Sequence, residues 1–132
     1  MGLVICTVLF LSSKISVRTG PGNQGAISDE KGWPLYFKRY GEAMLVTTVL
    51  VPNKAYTSAV MRMPSGEAKL TQPSQPLYGI NTADAHVVLF AGGYPLFVNG
   101  KFVGAFGVGG GSWDQDEKIG QTVLKAFEAE TK

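Results

Sequence analysis

Between Gly107 and Ser112 the chain reads Gly-Val-Gly-Gly-Gly-Ser, where an apolar run gives way to charged residues with helical spacing. Glycine lets a ligand come close to the backbone. The N–H groups at a helix start, with the helix dipole behind them, suit a carboxylate or a phosphate. This is not a P-loop, because no Lys-Ser or Lys-Thr pair follows the glycines. The same glycines could equally serve close packing of a strand on a helix. Tyr56 and Tyr78 offer hydroxyls and stacking faces to a flat ligand, or else simple aromatic packing. Asp114, Asp116 and Glu117 gather at the start of the last helix, where acids complement the dipole without any further role. The single cysteine, Cys6, and the single histidine, His86, exclude a Cys/His zinc site within one chain. No nucleophile stands with a base and an orienting partner, so hydrolytic chemistry has no support.

The elements that must position these residues follow from pattern. A length of 132 residues gives one domain, 1–132, in which segment 1–25 is set apart by its apolar run and its Gly-Pro-Gly loop. Only 17% of residues are charged, which leaves a weakly polar surface and favours self-association. The net charge of +2 is scattered and leaves no electrostatic footprint for nucleic acid. The apolar run Leu3–Leu11 is too short to span a bilayer, has no basic residue before it and reads as a buried strand. A cytoplasmic protein without a membrane span is expected.

Residues 12–25 read as a loop, Asp29 to Gly32 as a turn, and 33–39 as a strand with Pro34 at its beginning or at an edge. Helical spacing from Glu42 to Met63, divided by Pro52, predicts helices over about 43–50 and about 53–62, the second capped by Asn53. Residues 64–79 form an ordered loop. A strand is expected over 86–90, then a break at Gly92-Gly93 and a hairpin turning at Asn99-Gly100 between 95–98 and 101–108. Ser112 and Gln115 have capping-box spacing for a last helix with the stripe Ile119, Val123, Leu124 and Phe127. The sum is an α+β domain, helices packed on an antiparallel sheet.

Several short words in register carry a resemblance. They are Arg39-Tyr40-Gly41-Glu42-Ala43, Lys54-Ala55-Tyr56-Thr57, Gln75-Pro76-Leu77-Tyr78-Gly79, Gly92-Gly93 with Pro95, and Gly107-Val108-Gly109-Gly110 followed by Gln115-Asp116. Together, from about Ile27 to Phe127, they resemble the GlcG/HbpS family, which includes the C-terminal domain of PduO-type corrinoid adenosyltransferases. The resemblance implies a profilin-like sandwich that assembles into homo-oligomers, in a family linked to haem and, in the PduO setting, to corrinoids. It also brings in Arg39 and Lys54 as cations beside the glycine loop; Arg39 could instead pair with Glu42 or Asp116. The amphipathic helix that opens the family, with the histidines attributed to it in some haem-binding members, has no counterpart in this chain. His86 is then the one histidine that could ligate haem iron, or else a capping or surface residue.

The reading is therefore a small-molecule-binding accessory protein. Its ligand, haem or a corrinoid, would lie in a pocket lined by Arg39, Lys54, Tyr56, Tyr78, Gly107, Gly109, Gly110, Gly111 and Ser112, with His86 as a haem-iron ligand. The alternatives are an oligomer-forming structural subunit without a ligand, or an enzyme acting on a small organic acid with Lys54 or Tyr56 as acid–base group.

Overall fold

Asp29 carries the turn chemistry that starts the sheet. Its Oδ1 accepts the backbone N–H groups of Lys31 at 2.8 Å and Trp33 at 2.9 Å, and Gly32 supplies a φ of +86°. The turn joins β1 (Gly22–Ser28) to β2 (Pro34–Gly41). The computed structural model describes residues 22–131. The expected strand over Leu3–Leu11 lies outside the described residues, as does the loop reading of 12–21.

From Gly22 onward the loop expectation is corrected. β1 is an inner strand, paired antiparallel with β2 on one side and with β4 (Lys101–Gly109) on the other. Its polar, glycine-bearing sequence reads as a loop, but ladder bonds on both sides and the buried Gln24, Ala26 and Ile27 hold it extended. Pro34 opens edge strand β2, where its missing N–H costs no ladder bond. β3 (Gly93–Val98) pairs with β4 across Asn99 and Gly100, both at positive φ as their turn requires. The sheet order is β2-β1-β4-β3.

One helix replaces the two expected around Pro52. Helix α1 (Thr47–Met61) runs through the proline. Tight bonds from Thr47 N–H to Met44 O and from Thr48 N–H to Leu45 O already wind the chain before the helix starts. Pro52 then removes one N–H while Val51 and Ala55, both buried, pack on the sheet, so tertiary contact outweighs the lost bond. Asn53 lies inside the helix and its carbonyl accepts the Thr57 hydroxyl at 2.7 Å, so it is no cap. A 3-10 turn (Ala68–Thr71) and the short α2 (Ile80–Ala83) order the long connection.

The strand expected over 86–90 is also corrected: that stretch joins no ladder. Its polar groups are held by side chains instead, with Val88 N–H on Thr57 Oγ1 at 2.9 Å and Phe90 O accepting Ser65 Oγ at 2.5 Å. Helix α3 (Trp113–Glu130) starts at Ser112 with the capping box in place.

The two long helices cover opposite faces of the sheet. Ile119, Val123 and Phe127 of α3 pack on Ile27, Tyr94, Leu96, Phe106 and Val108. The other face presents glycine and alanine to α1, whose backbone rides directly on the strands. A Cβ at Gly107 would stand 2.6 Å from Val51 O, and one at Gly93 2.5 Å from Lys54 O. Both glycines serve close approach. Gly107→Ala is expected to push α1 off the sheet and to cost about 1–3 kcal/mol, as overpacking does; an unchanged urea midpoint would contradict this seam.

Candidate functional site

The glycine segment is not an open cradle. Gly107 and Gly109 belong to β4, and three of the N–H groups around the helix start are taken up by the chain itself. Gly111 N–H donates to Asp116 Oδ1 at 3.0 Å, Ser112 N–H to Gln115 Oε1 at 2.9 Å, and Gln115 N–H to Ser112 Oγ at 3.3 Å. Lys54, only 3% exposed, completes the arrangement: its Nζ lies 3.0 Å from Asp116 Oδ2 and donates to Val108 O at 3.0 Å. An internal carboxylate thus occupies the place expected for a ligand's acid group. Burial pushes the Asp116 carboxyl above its ordinary value, while Lys54 and the Gly111 N–H pull it back only in part. Lys54 is correspondingly closed to an acid–base role on an outside substrate.

The other expected residues are dispersed. Arg39 is exposed on edge strand β2, aligned through Gln24 with Gly109, and Asp116 pairs with Lys54 instead. Tyr78 is exposed on the long connection and lines a cavity of about 520 Å³ with Thr71, Asn81 and the 87–90 stretch. Beyond the cluster of Lys54, Asp116 and the glycines, Tyr56 and His86 are the two expected residues that meet.

They meet through Asp84. The Tyr56 hydroxyl donates to Asp84 Oδ2 at 2.5 Å, and the His86 ring approaches Asp84 Oδ1 through Nδ1 at 3.0 Å. The same Oδ1 accepts the His86 backbone N–H at 2.9 Å. The aromatic rings of Tyr56 and His86 lie with centroids 5.5 Å apart. The Tyr56 hydroxyl, then the His86 N–H and ring, hold the Asp84 carboxyl below its ordinary value; the hydrogen bond to Asp84 in turn raises that of Tyr56. Because the fold depresses the Asp84 value, what this group contributes is present above the unfolded value of 3.8 and is lost as pH falls through the folded one. At neutral pH Asp84 is an acceptor and Tyr56 a donor.

Tyr56 and His86 both border a groove of about 580 Å³ between α1 and the β1–β2 hairpin. Trp33, Phe37, Pro52 and Ala55 form its apolar walls, and Lys31 lies at its border. Sequence reasoning missed Lys31, Trp33, Phe37 and Asp84 as site residues. Asp84 alone carried a signal, an acid two residues before the only histidine. Among the described residues no three His, Cys, Asp or Glu side chains cluster as a metal site, and no helix is long and apolar enough to cross a membrane.

The chain is similar to known proteins along most of its length. Residues 20–125 match the family model described as haem degrading protein HbpS-like. The chain is 36% identical over 104 residues to an uncharacterized 15.0 kDa protein of the dhaT-dhaS intergenic region of Citrobacter freundii, covering 77% of this chain and 73% of that one. It is also 36% identical over 108 residues to the corrinoid adenosyltransferase PduO of Salmonella typhimurium, covering 80% of this chain. That alignment takes in 32% of PduO, so the chain spans about a third of that enzyme's length. A crystal structure of a PduOC–haem complex superposes with a TM-score of 0.87 at 30% identity, over 93% of this chain and 91% of that one.

The buried pair gives a test with a sign. Lys54→Met strands the Asp116 carboxylate and is expected to cost about 3–5 kcal/mol at pH 7. With its cation gone, the Asp116 value rises further, so the fold binds its proton more tightly than the unfolded chain does. Lowering the pH from 7 to 5 should therefore return part of the loss in the variant, relative to the native protein, in urea denaturation. Asp116→Asn added to Lys54→Met keeps an acceptor for Gly111 and should recover stability at pH 7; a double variant no better than the single would contradict the pairing.

Proposed function

The chain belongs to the HbpS-like family, and from that premise we propose that it is a haem-binding accessory protein whose ligand enters the groove between α1 and the β1–β2 hairpin. The observation that carries this reading is the apolar groove with the His86 ring at its border, held through Nδ1 by Asp84. The groove's volume of about 580 Å³ falls within the roughly 300–1,000 Å³ of cofactor pockets. Its lining suits the group. Trp33, Phe37 and Tyr56 provide faces for a flat macrocycle, Lys31 a cation for a propionate, and His86, whose side chain is 71% exposed, a ligand for iron through Nε2. Bound haem supplies a redox-active iron centre; the chain's part is to hold it, orient it and keep water from one of its faces. A corrinoid, with its own metal and a similar flat ring, is the second ligand of this class, in keeping with the likeness to PduO.

Self-association with further copies of this chain is part of the proposal. Met44, Leu45, Val46 and Val49 form an exposed apolar run at the start of α1, with Leu45 75% exposed, and a second copy would cover it. Leu45→Glu with Val49→Glu should lower the mass in light scattering and leave the fold intact; an unchanged mass would oppose this surface.

Haemin titration followed by absorbance tests the ligand. The native chain should give a saturable Soret change, and His86→Ala should weaken binding by roughly tenfold to a hundredfold, the usual loss at a metal ligand or its partner. Lys31→Ala should weaken it less. Equal affinity in His86→Ala would refute ligation through this histidine, and no saturable change would refute haem, leaving a cobalamin titration to decide the corrinoid.

A further inference from the structure

We propose that Asp84 is a positioning residue that fixes the tautomer of His86, with the proton on Nδ1 and Nε2 presented to the groove as a bare acceptor. The final use of that nitrogen, to ligate iron, rests on the function proposed above; the tautomer itself is a property of this chain.

Donors and acceptors decide where the ring proton sits. An ionised carboxylate accepts and cannot donate, so the 3.0 Å approach of Nδ1 to Asp84 Oδ1 is a hydrogen bond only when Nδ1 carries the proton. In the neutral ring Nε2 is then the acceptor. Two features keep Asp84 in the state this needs. Tyr56 donates to Oδ2 and the His86 backbone N–H donates to Oδ1, so both carboxylate oxygens are stabilised as anions. The ring and backbone of the same residue share Oδ1, which ties the orientation of the imidazole to the course of the main chain around it.

The segment is itself pinned. Asp84 N–H donates to Ile80 O at 3.0 Å and Val87 N–H to Asp84 O at 3.1 Å. Consecutive α1 residues hold its two ends: Tyr56 takes Asp84 and Thr57 takes Val88. His86 therefore stands between two anchors on one helix, at the border of a groove whose walls that helix also supplies. A carboxylate on the far ring nitrogen also raises the basicity of the near one, so Asp84 tunes as well as aims.

The decisive measurement is a ¹⁵N–¹H correlation spectrum of the imidazole ring in the ligand-free protein at a pH where the ring is neutral. With one histidine in the chain, the ring signals belong to His86 without further assignment. The expected result is a predominant Nδ1–H tautomer in the native protein, lost in Asp84→Ala and kept in Asp84→Asn, which retains an acceptor oxygen. A native protein with the proton mainly on Nε2, or with the same tautomer balance as Asp84→Ala, would overturn the proposal without reference to any ligand. In the haemin-loaded protein, Asp84→Asn should raise the iron reduction potential, because the neutral amide donates less through the ring; a potential equal to the native one would overturn the tuning role. Should His86→Ala bind haemin as tightly as the native chain, the ligand reading falls, and the ring spectrum still decides the role of Asp84.

Discussion

Lys54 and Asp116 hold together elements that lie on opposite faces of the sheet. Lys54 rises from α1, passes the end of β4 where Gly109 leaves room for it, and meets Asp116 at the first turn of α3. The lysine also bonds Val108 O and the aspartate also takes Gly111 N–H, so both charges are desolvated only where polar partners surround them. That contact fixes where α1 lies along the sheet. The glycines of β3 and β4 then allow its backbone to descend onto the strands, and the far side of the helix is left facing the β1–β2 hairpin across a groove.

The groove is thus a by-product of two requirements met on one helix. Along one side, α1 presents Val51, Ala55 and Lys54 to the sheet. Along the other, Pro52, Asn53 and Tyr56 look out over β2, an edge strand with no further neighbour among the described residues. Trp33 and Phe37 project from the hairpin into that space rather than into a core, which explains why large aromatic residues remain exposed there. This apolar concavity with a charged and a histidyl border is the place proposed above for a flat, acid-bearing molecule.

The α+β architecture, the hairpin at Asn99-Gly100, the capping box at Ser112 and the apolar stripe of α3 were legible because each rests on local chemistry: turn geometry, a cap and a helical period. The misread elements depend on tertiary contact. Gly22 to Gly25 look like a loop until two neighbouring strands pair with them, Pro52 looks like a boundary until packing carries a helix through it, and the apolar run from Val87 to Phe90 looks like a strand although side chains of α1 and Ser65 hold its backbone. The candidate site divides along the same line. The residues flagged near the glycines turn out to be bound to one another, since a lysine and an aspartate 62 positions apart cannot be paired from one sequence. Tyr56 and His86 share a site only because α1 and the stretch after α2 run side by side.

His86 rides on a stretch of chain that lends nothing to the strand ladder. Its polar anchors are a tyrosine hydroxyl, a threonine hydroxyl and a carboxylate, with Val87 and Leu89 buried just beyond it, all outside the two apolar clusters packed on the sheet. On the function proposed above, scaffold and ligand site are therefore separable under mutation. Positions 84 to 86 are exposed or half-buried and lie outside the sheet, so changes there act on the proposed site rather than on the strand ladder.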